Sequence, residues 1–226
     1  MKPTRLYLVR HGATTATAEE RFSGATGVEL SAEGRRQAEA LAGRLRDDGI
    51  EGVYSSPYGR SLDTARILAG PLGKVPIPCD GLREISHGHW EGLTRREVEH
   101  RFPEEYAAYE ADPFTSAPRG GESGVEVMAR SLPVLRDVVL AHPGARALLV
   151  SHKATLRLLL SSLLGFDPRG YRNRLDQAPA CLNVVDFRDP VRARLMLFND
   201  VSHYAALPRQ PGANLSGWWD PPGDPY

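Results

Sequence analysis

Three short apolar runs end in residues that could grip and attack an anion. Leu6-Tyr7-Leu8-Val9 is followed by Arg10-His11-Gly12, and Ala147-Leu148-Leu149-Val150 by Ser151-His152. A weaker run, Gly52-Val53-Tyr54, leads through Ser55-Ser56-Pro57 to Arg60. Runs this short and this apolar suit strands buried on both faces. Ligands of open α/β sheets bind just beyond the carboxyl ends of the strands, so a shared edge would collect two arginines and two histidines. Guanidinium forks match phosphate oxygens two at a time and stay charged at any working pH, which makes a phosphate dianion the natural guest. Taken singly, His11 reads as a structural histidine and Arg60 as a solvated helix residue. Their joint arrival, each at the end of its own run, carries the inference.

The intervening segments must hold those ends in place. Ser31 is a plausible N-cap for a helix running toward Asp48, with Ala38, Leu41, Ala42 and Leu45 on one face and Gly49 as its stop. A second helix is expected from Ala154 to Leu164, closed by Gly165, and Thr64–Leu68 reads as part of a third. Pro133 predicts a kink, or a break into two helices, within Val127–Val139. Leu182–Phe187 and Arg194–Phe198, separated by Asp189-Pro190, read as a late hairpin. Alternating buried strands and helices predict an α/β three-layer sandwich: a mostly parallel central sheet, helices on both faces and a late antiparallel hairpin. We expect one domain over residues 1–207, with 91–121 as an insertion over the site. Residues 208–226 form a Pro/Gly-rich C-terminal tail in which Trp218-Trp219 could dock on the body.

The chain has 226 residues, 41% hydrophobic and 25% charged, which is globular rather than disordered composition. Its 28 Lys and Arg balance 28 Asp and Glu, so nothing global draws it to nucleic acid or an anionic membrane. Two cysteines, Cys79 and Cys181, are too few for a disulfide framework or a structural zinc site. Neither a signal-peptide pattern nor a membrane-spanning apolar run is visible, which points to the cytoplasm. Oligomeric state is not legible, and a homodimer stays open.

Leu6-Tyr-Leu-Val-Arg-His-Gly-Ala-Thr14 resembles the signature of the histidine phosphatase (phosphoglycerate mutase-like) superfamily. Arg21-Phe-Ser-Gly24, Leu30-Ser-Ala-Glu-Gly34, the Ser55–Ala65 segment, Leu82-Arg-Glu-Ile-Ser-His-Gly-His-Trp-Glu-Gly92 and Val150-Ser-His152 extend the similarity in the family's order. The resemblance implies His11 as nucleophile, Arg10, Arg60 and His152 as the phosphate clamp, and Glu84 as proton donor. It also implies phosphate contacts from Ser23 and Gly24. In chemical terms, a neutral imidazole attacks phosphorus to give a phosphohistidine. Arginines and a protonated His152 neutralise the equatorial oxygens, and a carboxylic acid protonates the leaving oxygen before activating water. That chemistry calls for no metal and no cofactor. His87-Gly-His89 supplies too few ligands for a metal site.

This chain departs from the pattern at three positions. Ala13 stands where the family often has glutamate, Thr17 where it has asparagine, and Lys153 where it usually has a small residue. Thr17 still offers a hydroxyl. Lys153 reads either as a solvent-facing or structural charge, or as a contact for a carboxylate or second phosphate on the substrate. The run after Glu84 and the modest insertion resemble the phosphatase branch more than the glycolytic mutases. The expected activity is therefore metal-independent hydrolysis of a small phosphorylated metabolite, a sugar phosphate or phosphorylated acid. A cofactor-dependent phosphoglycerate mutase, a protein phosphatase and a non-catalytic phospho-ligand binder are the alternatives. Arg95, Arg96, Arg101 and Arg119 of the insertion are candidate substrate contacts and equally plain surface charges.

Overall fold

The computed structural model describes residues 2–15, 21–24 and 27–205. Its six strands are β1 (Thr4–Arg10), β2 (Gly52–Ser55), β3 (Ile77–Pro78), β4 (Arg146–Ser151), β5 (Leu182–Phe187) and β6 (Ala193–Asp200). They form one sheet in the order β3-β2-β4-β1-β5-β6. Strands β1 to β4 run parallel, while β5 pairs antiparallel with β1 and with β6. The sheet is thus mostly parallel and ends in an antiparallel hairpin.

Period-two alternation in the strands builds the layers. Leu6 and Leu8 of β1, with Ala147 and Leu149 of β4, pack with Leu135 and Val138 of α5 (Gly124–Ala141) and Leu156 and Leu159 of α6 (Lys153–Leu164). Tyr7, Val9, Leu148 and Val150 face the other way. They meet Leu41 and Leu45 of α1 (Ala32–Leu45) and Ala65 and Leu68 of α2 (Gly59–Ala69). Both faces are covered, as continuous apolar strand sequences require.

Side chains cap the free amides at the starts of α1 and α5. Ser31 Oγ accepts from Gly34 N at 3.0 Å to cap α1. Gly49 and Gly165, each at positive φ, follow α1 and α6. The α5 N-terminus carries a reciprocal capping box between Ser123 and Glu126. Pro133 does not divide α5 in two; a single helix of 18 residues runs through it. Pro133 and Ala129, whose carbonyl loses its intrahelical donor, are both exposed, while Val127, Ser131, Leu135 and Val138 bury the opposite stripe. Water can serve the freed carbonyl, and the buried stripe outweighs the proline.

Between β3 and α5 the chain forms α3 (Arg95–Arg101) and α4 (Pro103–Ala111). Phe22, Trp90, Val98, Tyr106 and Tyr109 make a separate small core beneath them. The last helix, α7, is a single turn over Tyr171–Arg174. Thr17 and the Pro/Gly-rich tail, Trp218-Trp219 included, lie outside the described residues. Among the described residues no helix is long and apolar enough to cross a membrane.

Gly12 and Gly34 press backbone on backbone where the loop after β1 crosses the start of α1. A Cβ on Gly34 would collide with the Ala13 carbonyl oxygen, and one on Gly12 with the Gly34 carbonyl. Replacing a helical glycine with alanine ordinarily gains up to about 1 kcal/mol. Here Gly34→Ala should instead lose about 1–3 kcal/mol, because rigid backbone must shift to admit the methyl group. Urea unfolding of the two proteins checks the sign; a gain in stability would contradict this packing.

Candidate active site

Strands β1, β4 and β2 are neighbours, and their register makes their ends level. Arg10 pairs with Ser151, and Ser55 with Val150. The residues that follow, His11, His152 and Ser56, therefore leave the sheet at one edge. The rings of His11 and His152 lie 5.1 Å apart, edge to face, and both residues are buried.

His11 has its proton position set by its surroundings. Nδ1 lies 2.8 Å from the Gly12 carbonyl oxygen, which can only accept, so Nδ1 carries the hydrogen. Nε2 in turn accepts from Arg60 Nε at 3.3 Å. Burial, followed by the charges of Arg10 and Arg60, holds the His11 imidazole well below the ordinary histidine range. The ring is neutral, with a lone pair on Nε2.

Arg60 arrives from the first turn of α2, buried, and donates through Nη2 to the Gly24 carbonyl at 2.7 Å. Arg10 donates from Nη1 to the Gln177 carbonyl at 2.7 Å, while its buried Nε has no hydrogen-bond partner among the described residues. His152 Nε2 sits 2.7 Å from Ser56 Oγ and 3.2 Å from Ser61 Oγ. Its Nδ1 is buried and has no hydrogen-bond partner among the described residues. Burial first, then the neighbouring His11, Arg60 and Arg10, push its imidazole well below the usual range.

Glu84 faces the start of α6. Its Oε1 accepts from Ile85 N at 3.0 Å and Thr155 N at 3.2 Å, and its Oε2 from Ala154 N at 3.2 Å. A carboxylate at a helix N-terminus satisfies free amides and meets the positive end of the helix dipole. Arg130 of α5 fixes the loop that bears it, donating to the carbonyls of Gly81, Arg83 and Glu84 at 2.8 to 3.0 Å and to both oxygens of Glu122.

Gly24 serves the site differently from the sequence reading. Its N–H donates to Glu91 Oε2 at 2.8 Å, while Glu91 Oε1 accepts from His87 N. A Cβ there would strike the Ile85 carbonyl oxygen, so the close approach requires glycine. Ser23 is half-buried beside it. Lys153 does not face open solvent: its side chain is 26% exposed and lies 3.8 Å from Asp176. His89 pairs with Glu105 at 2.7 Å, and His87 packs edge to face on Phe22, so the two histidines serve separate contacts. Arg101 pairs with Glu97, and Arg119 lends its carbonyl to His89 N.

Ser56, Ser61, Thr64 and Arg130 escaped the sequence reading as site residues. Ser56 and Ser61 lie inside the Ser55–Ala65 segment, at spacings a helix start brings onto one side. Thr64 Oγ1 accepts from Gly12 N at 3.1 Å and ties α2 to the nucleophile loop. Arg130 belongs to a distant helix, and nothing local marks it.

The model of the histidine phosphatase superfamily (branch 1) matches residues 6–201. The bifunctional protein Rv2228c of Mycobacterium tuberculosis is 35% identical over 202 residues, covering 89% of this chain but 55% of the relative. This chain thus spans about half of that longer protein. The probable phosphoglycerate mutase GpmB of Yersinia enterocolitica is 34% identical over 189 residues, with 82% of this chain and 86% of the relative covered. Among solved structures, the mycobacterial glucosyl-3-phosphoglycerate phosphatase Rv2419c superposes with a TM-score of 0.79 at 30% identity, over 88% of this chain and 99% of its own.

Both buried imidazoles should make the fold sensitive to acid. Each is neutral when folded and binds a proton when unfolded below about pH 6.5, so lowering pH favours the unfolded chain. The stability they contribute is complete above that value and lost as pH falls. Between pH 6.5 and 5.5 the pair should cost about 2 kcal/mol. Urea titrations should show the wild type losing that much more than a His11→Gln, His152→Gln double variant. Equal losses would mean that the rings are already charged in the fold.

Proposed function

The chain belongs to the histidine phosphatase superfamily, and on that premise we propose that it hydrolyses a small phosphomonoester through a phosphohistidine on His11. The observation that carries the reading is the hydrogen bond from His11 Nδ1 to the Gly12 carbonyl. It leaves Nε2 unprotonated beside a guanidinium, which is the state a nucleophile needs at neutral pH. A mere phosphate binder has no use for that tautomer.

In this reading Nε2 attacks phosphorus as the ester P–O bond breaks. Arg10, Arg60 and the unpartnered His152 Nδ1 face the equatorial oxygens, whose negative charge grows toward the transition state. A bound dianion also reverses the field that keeps His152 neutral, so protonation of that ring accompanies binding. Glu84 donates a proton to the departing oxygen. As a carboxylate it then takes a proton from the water that attacks the phosphohistidine, and inorganic phosphate leaves with His11 restored. Oε2, with the single amide contact, is the oxygen left free to move that proton. The same reading takes residues 1–207 as one catalytic domain in which α3 and α4 bound the substrate space.

A small-molecule substrate fits this reading, as does the activity for which the glucosyl-3-phosphoglycerate phosphatase relative is named. Labelled phosphomonoester, quenched into alkali during turnover, should leave phosphate on wild-type protein and none on His11→Ala. Glu84→Gln should lower kcat by about 10²–10⁴. Turnover by His11→Ala would overturn the proposal. Isomerisation of 3-phosphoglycerate faster than phosphate release, when primed with bisphosphoglycerate, would replace it with the mutase reading.

A further inference from the structure

Beside the phosphate clamp lies a second group of cations that the mechanism leaves unused. Lys153 is the first residue of α6, directly after His152, and Arg157 is one turn on along the same face. Both reach one oxygen of one carboxylate: Asp176 Oδ1 is 3.8 Å from Lys153 Nζ and 3.4 Å from Arg157 Nη2. That oxygen also accepts from Gln177 N at 2.8 Å, and the Gln177 carbonyl accepts from Arg10. The group is therefore continuous with the clamp through the loop 175–178. Arg157 is buried, and its Nε has no partner among the described residues.

Two features mark this as more than structural pairing. A lysine at the first position of a helix opposes the dipole, which favours anions there. Lys153 and Arg157 also share one carboxylate, at distances longer than a good charge-assisted hydrogen bond, so two basic side chains converge on one oxygen next to a phosphate site. Local rules broken in this way point to a ligand that completes them.

We propose that Lys153 and Arg157 form a second anion subsite that takes a carboxylate carried by the phosphorylated substrate. The inference deepens the hydrolase reading and rests on it. The substrate class becomes phosphorylated acids, in preference to neutral phosphorylated alcohols and sugars. The ammonium of Lys153 is pushed down to about 7, by burial first, then by Arg157 and Arg10, with Asp176 and Glu84 opposing. It is charged below that pH, so the preference for acids should be larger at pH 6 than at pH 8.5.

The probes are 3-phosphoglycerate and glycerol 3-phosphate, which differ by a carboxylate in place of a hydroxymethyl group. The ratio of their kcat/KM values should fall about tenfold in Lys153→Met and survive in Lys153→Arg. An unchanged ratio in Lys153→Met overturns the subsite, as does a wild-type ratio that does not vary with pH. Binding by calorimetry to His11→Ala, with and without Lys153→Met, judges the subsite without turnover. Tighter binding of 3-phosphoglycerate that depends on Lys153 supports it even if wild-type protein hydrolyses neither ester, a result that would sink the hydrolase reading alone. Equal affinities in His11→Ala overturn it.

Discussion

Two guanidinium groups drawn out of water beside two imidazoles set the terms for everything around them. Removing a charge from water costs several kcal/mol unless partners replace the solvent. Among the partners of Arg60 and Arg10 are main-chain carbonyls, those of Gly24 and Gln177, which supply dipoles. The cations consequently keep their field. That field, with burial, keeps both imidazoles neutral, and a neutral His11 is what phosphorus chemistry asks for. One electrostatic arrangement thus gathers the cations and sets the charge state of His11 together, as the proposed reaction requires.

Holding such a field in place takes a second layer of contacts that never touch the pocket. Glu91 bridges Gly24 N and His87 N, linking the loop after β1 to the segment after Glu84. Thr64 ties Gly12 to α2. Asn183 and Gln177 bond each other, with Asn183 reaching the Leu8 carbonyl, so the loop that supports Arg10 is fastened to β1 itself. Long-range contacts of this kind explain how loops, which are otherwise the pliable part of an α/β fold, can present side chains with little freedom.

The architecture was legible because apolar runs of strand length and helix-face periodicity are local signals. The runs at Leu6–Val9 and Ala147–Val150 lie within β1 and β4, and the late hairpin lies where Leu182–Phe187 and the following run put it. Of the kink or break that Pro133 predicts, the break does not occur, because a propensity rule weighs one hydrogen bond and cannot see the stripe buried on the far side of α5. In the site, residues that stand at strand ends announced themselves by chemistry and position. The Gly24 amide bonds Glu91, a pairing between positions 67 residues apart that no spacing reveals. The place of Lys153 stayed open in the sequence because its counter-ion, Asp176, arrives from another loop.

Under the proposed mechanism Glu84 must both keep its place and move a proton. The free amides at the head of α6 fix where its oxygens lie. The two oxygens divide the work: Oε1 accepts two amides and anchors the side chain, while Oε2 accepts one and keeps capacity to exchange a proton. Anchoring also fixes the direction of that exchange. Arg130 grips the carbonyls of Gly81, Arg83 and Glu84 from the opposite side, so the loop cannot follow if the carboxyl turns away. In the proposed reaction, a carboxyl group held this way costs little reorganisation when the leaving oxygen needs a proton, which is where preorganised sites gain over water.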